Sequence, residues 1–137
     1  ARSRHNLAYW RSWDYVGVGP GAHGRLTLDG AKTAVRAAVR PGDYVRQVGE
    51  SGRGWAERAA LSPREAAEER LLMGLRTVEG VELAELEPLG LRDCGDRTLA
   101  ELRQAGLIRL DGGRLVATPR GRLVLDRVAL ELATAAA

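Results

Sequence analysis

The sequence predicts an α+β fold: an extended, hairpin-containing segment over residues 1–60, then a winged-helix-like domain over residues 61–137. Three observations carry that prediction. Charge and aromatic content change near residue 60, one hairpin signal stands in the first region, and capped helical stripes surround a second hairpin in the other. Residues 1–60 hold ten Arg/Lys and five Asp/Glu, whereas residues 61–137 hold eleven and thirteen. All six aromatics (Tyr9, Trp10, Trp13, Tyr15, Tyr44 and Trp55) lie in the first region. With 45% hydrophobic and 28% charged residues, the chain has the composition of a globular protein rather than a disordered one.

In the first region, Tyr15-Val16-Gly17-Val18 reads as a short buried strand entering a glycine-rich loop from Gly19 to Gly24. Arg25 to Leu28 alternates polar and apolar, and Asp29-Gly30 is a strong hairpin signal. The return strand near Lys32–Val39 is rich in alanines that would also suit a helix. Pro41-Gly42-Asp43 opens a short helix through Val48, Gly49 to Gly54 is a loop, and Trp55 to Leu61 is extended.

The second region is more regular. Ser62-Pro63-Arg64-Glu65 combines an N-cap serine, a first-turn proline and a capping-box glutamate. The helix that follows places Ala67, Leu71, Leu75 and Val78 on one stripe, with Gly80 as a left-handed end. Val81–Leu86 is a second, short helix. Asp96 caps a third, with Leu99, Leu102 and Ala105 inward and Gly106 closing it. Leu107–Leu110, Asp111-Gly112-Gly113 and Arg114–Val116 form a hairpin. Thr118-Pro119 then starts a last helix through Val124, Leu125, Val128 and Leu132. Three helices, a hairpin and a helix is the order of a winged helix.

Several function classes drop out on composition. No apolar run approaches the roughly 18 residues that a membrane helix needs, and the start does not resemble a secretory signal. Cys94 is the single cysteine, so the chain has neither a disulfide framework nor a thiolate metal cage, which suits a reduced, cytoplasmic setting. His5 and His23 are the two histidines. Lys32 is the one lysine among 21 basic residues, a trait read as genome composition. The chain opens at Ala1 inside a dense motif with no methionine, as expected of a piece of a longer polypeptide.

Gly19-Pro20-Gly21-Ala22-His23-Gly24 matches G-x-G-x-x-G after a strand. Dinucleotide binding needs a helix to open at the last glycine, so that its amides face the pyrophosphate. Here the chain runs on as strand, and the dinucleotide reading fails. A loop that brings backbone close to a ligand and a tight structural turn both remain open. His5-Asn6-Leu7-Ala8-Tyr9-Trp10 places an imidazole beside two aromatics, a set able to line a pocket for a flat ligand or to pack as core.

The run from Ser3 to Trp10, continued by Asp14 to Gly24, closely resembles the corresponding stretch of HemW-type proteins, which are radical-SAM relatives of oxygen-independent coproporphyrinogen III oxidase. The H-N-x-x-Y-W string favours the heme-chaperone subgroup, and residues 62–132 are similar to the family's C-terminal domain. The resemblance implies a parent with a partial α/β barrel holding S-adenosylmethionine and a [4Fe–4S] cluster, of which residues 1–60 are the end and the connecting hairpin. The family's C-x-x-x-C-x-x-C cluster motif is missing here, so the chain by itself is expected to hold no cluster and run no radical chemistry. By the same resemblance, Gly17, Gly19, Gly21, Ala22, His23 and Gly24 lie near S-adenosylmethionine in the parent, and His5 with Tyr9 are the heme candidates. The implied partners are the rest of the radical-SAM domain, heme or porphyrin, and heme-accepting proteins.

The rival reading is a winged helix that binds nucleic acid through Arg97, Arg103, Arg109 and Arg114. Asp93, Asp96, Glu101 and Asp111 interleave with those arginines in a net acidic region, which disfavours a specific nucleic-acid partner. A free-standing enzyme finds less support, because no nucleophile stands at a recognisable spacing from a base. The sequence therefore predicts an accessory chain that covers the active-site side of a radical-SAM barrel.

Overall fold

The computed structural model describes residues 4–91 and 96–135. Cys94 and Asp93, on which sequence expectations rested, lie outside the described residues, as does Ser3. The chain divides into two compact units, Trp13–Ser62 on one side and Ala1–Ser12 with Pro63–Ala137 on the other. That division differs from the expected 1–60 and 61–137 at its start, since residues 1–12 group with the later part.

In the Trp13–Ser62 unit, β1 (His23–Leu28), β2 (Ala31–Ala37) and β3 (Trp55–Ala60) form an antiparallel sheet in the order β1-β2-β3. Asp29 and Gly30 both have positive φ, 52° and 78°, which turns β1 into β2 as the sequence predicts. The alanine-rich return segment is a strand. Its alternation places Thr33, Val35 and Ala37 on a buried face, where their cross-strand neighbours fix the register. Helix α2 (Pro41–Ser51) outruns its expected end by three residues. It stops where Gly52 takes a left-handed φ of 70° and returns its N–H to the Val48 carbonyl.

The expected buried strand at Tyr15–Val18 is not there. Only Tyr15 pairs, exchanging backbone hydrogen bonds with Arg25, while Val16 is 57% and Val18 87% exposed. Too few residues face a partner strand to extend the ladder.

The other unit begins with α1 (Arg4–Trp10), a helix in a region that shows little helical periodicity in sequence. It packs on α3 (Pro63–Gly74). Helix α3 buries Ala67 and Leu71 but stops short of the predicted end. The Thr77 hydroxyl donates to the Gly74 carbonyl at 2.8 Å and accepts the Gly80 N–H at 3.0 Å, closing a turn in place of further helix. Leu75 is buried; Val78, placed on the same stripe in sequence, is half exposed.

Residues 81–89 also depart from expectation. Val81–Glu82 is a strand, β4, paired with Leu115 and Arg114, and a 3-10 turn (Leu83–Leu89) follows, buttressed by a Glu82–Glu85 capping box. Asp96 caps α4 (Arg97–Gln104) by accepting the Leu99 N–H at 3.0 Å. Leu99 and Leu102 are buried as predicted, but Ala105 has already passed the helix end and is exposed. Strands β5 (Ile108–Asp111) and β6 (Arg114–Ala117) turn through Gly112 and Gly113, both of positive φ, giving the sheet order β4-β6-β5.

The final helix is broken. Thr118 caps a short α5 (Pro119–Arg122), and Val124, at φ −126° and ψ 33°, interrupts the chain before α6 (Leu125–Thr134). The break resets the phase so that Val128, Ala129 and Leu132 all reach the core. Val124 itself is exposed.

Candidate functional site

The predicted site residues fall into two groups, one in each unit. His5 and Tyr9 stand one helical turn apart on α1, the spacing that aligns side chains on one face. Their rings meet edge to face, centroids 4.8 Å apart at 70°. His5 is exposed and Tyr9 half-buried, so the imidazole stands at the surface with a tyrosine ring as its backing. Helix α1 is held from below by Arg11, whose guanidinium grips both oxygens of the Glu79 carboxylate, the Nε contact measuring 3.1 Å. Glu79 in turn lies in a turn fixed by Arg114, which donates to the Glu79 carbonyl at 2.8 Å and to the Glu82 carboxylate at 2.7 Å.

The glycine loop belongs to the Trp13–Ser62 unit. Gly24 is buried between the Val35 side chain and the Tyr15 carbonyl, and a Cβ there would come within 2.7 Å of Val35. A Cβ at Gly17 would collide with the His23 carbonyl. These two glycines therefore have a packing reason to be glycine. Gly19 and Gly21 have positive φ, Gly19 with open space around it and Gly21 within van der Waals reach of the Val39 backbone, and His23 is exposed at the start of β1. The Gly19 N–H donates to the Tyr44 phenol oxygen at 3.3 Å, tying the loop to α2.

Behind this loop lies a cleft of about 200 Å³ that sequence reasoning missed. Val16, Val18, Tyr44, Val48, Arg53 and Trp55 are among its walls. The Arg53 guanidinium sits 5.2 Å from the centre of the Trp55 ring, within cation–π range. The residues that meet here come from four separate stretches of chain. The interspersed aromatics and the excess of basic over acidic residues in this region were the signal available in sequence.

No group of three or more His, Cys, Asp or Glu side chains among the described residues is placed to hold a metal ion. A [4Fe–4S] cluster does not fit this chain's own donors, since the sequence contains a single cysteine. The exposed His5 imidazole is a donor of the type that heme iron accepts, and would hold that group if it bound here. The arginines of the rival nucleic-acid reading are largely neutralised in place. Arg97 pairs with Glu101 at 2.7 Å, Arg109 with Asp111 at 2.9 Å and Arg114 with Glu82.

Residues 61–124 match the family model described as HemN C-terminal domain. That stretch of the chain is thus similar to the HemN C-terminal domain. Its relatives extend the likeness beyond the HemN-type domain to almost the full sequence. Radical S-adenosyl methionine domain-containing protein 1, mitochondrial, of Bos taurus is 39% identical across 96% of this chain and 32% of its own length. Heme chaperone HemW of Bacillus subtilis is 30% identical across 92% of this chain and 33% of its own. The chain thus spans about a third of the length of the curated relatives it matches. Among solved structures, the radical-SAM coproporphyrinogen III oxidase HemN of Escherichia coli superposes with a TM-score of 0.59, covering 89% of this chain and 29% of that one. At 19% identity that likeness is one of fold: mixed α/β with small antiparallel sheets. Among the described residues no helix is long and apolar enough to cross a membrane.

Proposed function

We propose that this chain is the accessory C-terminal portion of a radical-SAM protein of the oxygen-independent coproporphyrinogen oxidase and heme chaperone group, acting in porphyrin or heme metabolism. The observation that carries the reading is the His5–Tyr9 pair, exposed on one face of α1, in a chain similar to a heme chaperone over nine-tenths of its length. In this reading His5 donates to heme iron and the Tyr9 ring meets the porphyrin face. The rest of the parent supplies the iron–sulfur cluster and the S-adenosylmethionine that drive radical chemistry, so this chain by itself runs none.

The Gly17, Gly19, Gly21, Ala22, His23 and Gly24 loop faces that S-adenosylmethionine, and residues 1–60 are the end of the barrel and its connecting hairpin. The exposure of Val16, Val18 and Val39, at 57%, 87% and 60%, supports packing against the remainder of the radical-SAM domain. Residues 61–137 act as a winged-helix-like module, a reading supported by α3, α4 and the β5–β6 hairpin within the β4-β6-β5 sheet. Heme-accepting proteins are the onward partners. The proposed setting is the cytoplasm, on the strength of the single cysteine, although the bovine relative is named mitochondrial.

Hemin titration followed at the Soret band tests the heme assignment. His5→Ala is expected to weaken binding and shift the band, while His23→Ala leaves both near wild type. Identical spectra and affinity for wild type and His5→Ala would remove His5 from the site.

A further inference from the structure

The cleft behind the glycine loop is built for one end of a molecule rather than for a whole one. Its volume of about 200 Å³ falls below the range of roughly 300–1,000 Å³ that encloses a drug-sized ligand. Its walls are mostly apolar, contributed by Val16, Val18, Val48 and Trp55. Two groups break that pattern. Arg53 lines the cleft with its guanidinium over Trp55, and among the described residues no carboxylate pairs with it. Tyr44 uses its oxygen to accept the Gly19 N–H, which leaves its O–H proton to donate elsewhere. No aspartate or glutamate lines the cleft.

We propose that this cleft is a subsite for one propionate arm of a porphyrin, with Arg53 pairing with the carboxylate, Tyr44 donating to it, and the methylene stem lying against Val48 and Trp55. The inference rests on the porphyrin reading above and deepens it. A guanidinium with a second donor matches a carboxylate in charge and in hydrogen-bond direction. The amino-acid end of S-adenosylmethionine also carries a carboxylate, but its ammonium would find no anion in this cleft. A propionate has no such group to leave unpaired.

The test uses the 137-residue chain and two kinds of probe. Butyrate stands for the arm alone, read by the NMR signals of the Arg53 Nε–H and the Trp55 indole N–H. Saturable shifts in both are expected with butyrate, none with butyramide, and none at the Trp55 indole in an Arg53→Gln variant. Arg53 is exposed, so Arg53→Gln is expected to keep the wild-type melting curve, and Tyr44→Phe gives an intermediate loss. Deuteroporphyrin and its dimethyl ester then stand for the whole ligand. The acid should bind about tenfold or more tightly than the ester in wild type, and equally with it in Arg53→Gln. Absence of butyrate shifts in wild type, or their persistence at Trp55 in Arg53→Gln, would overturn the subsite. Butyrate binding with no acid–ester difference would keep an anion cleft but overturn its porphyrin occupant. Displacement of butyrate by S-adenosylmethionine and not by deuteroporphyrin would assign the carboxylate to the other source. A chain that binds butyrate but no porphyrin at all would sink the porphyrin reading instead.

Discussion

Asp14 joins three parts of the N-terminal sheet through one carboxylate. It accepts the Thr27 N–H at 2.6 Å, the Thr27 hydroxyl at 2.9 Å and the Lys32 ammonium at 2.7 Å. Thr27 and Lys32 face each other across β1 and β2, so the contact clamps residue 14 to the hairpin end. The Lys32 hydrogen bond, then the Thr27 N–H, lowers the Asp14 pKa from 3.8 to about 2. A depressed carboxylate stabilises the fold above its unfolded pKa, and that contribution fades as pH falls from about 4 towards 2. Asp14→Asn is therefore expected to flatten the acid limb of a melting-temperature profile in that window. An unchanged limb would mean that the clamp contributes nothing. Two glycines give opposite expectations at the same scale. Gly121 is buried against the Leu107 backbone, where a Cβ would overlap the carbonyl, so Gly121→Ala should cost about 1–3 kcal/mol. Gly49 lies inside α2 with open space around it and no positive φ, so Gly49→Ala should gain roughly 0.5–1 kcal/mol. Denaturant unfolding of both variants checks the sign.

At the scale of elements, what the sequence revealed was what neighbouring residues decide among themselves. Asp29-Gly30 and Gly112-Gly113 turn their hairpins through positive φ, and Asp96 and Thr118 cap the helices they precede. Such signals act within three or four residues, and no distant contact overrides them. Where the reading fell short, a long-range partner had intervened. The 81–86 segment has an apolar pattern compatible with helix, yet Val81 is recruited by Leu115 of β6. The alanines of β2 would suit a helix, but two flanking strands claim them. The stripe of α3 predicts burial of Val78, and the Thr77 hydroxyl ends the helix first. The same division holds at the candidate sites. His5 and Tyr9 are legible because one helical turn brings them together. The Arg53 cleft needs Val16, Tyr44 and Trp55 to converge, and the Arg11–Glu79 grip spans 68 residues.

At the scale of the molecule, the division into two compact units raises the question of which stretch folds alone. Among the described residues, sixteen buried ones form the main hydrophobic cluster, from Ala67 through Leu132, and each of these lies within residues 61–137. Leu75, Leu86, Leu89, Leu91, Leu99 and Leu132 are wholly inaccessible to solvent. Helix α1 joins this unit without burying any residue completely, so its loss removes surface contacts and no core. A polypeptide beginning at Leu61 is therefore expected to unfold in a single cooperative transition, monitored by helical circular dichroism during heating. Leu71→Ala or Leu102→Ala in that polypeptide should cost roughly 2–5 kcal/mol, since both side chains are buried and each leaves a cavity among neighbours fixed by the sheet. A broad, featureless melt would show that residues 1–12 are needed to complete the unit. The Arg11–Glu79 pair would then be the first contact to restore, by starting a second polypeptide that joins residues 1–12 to the same core.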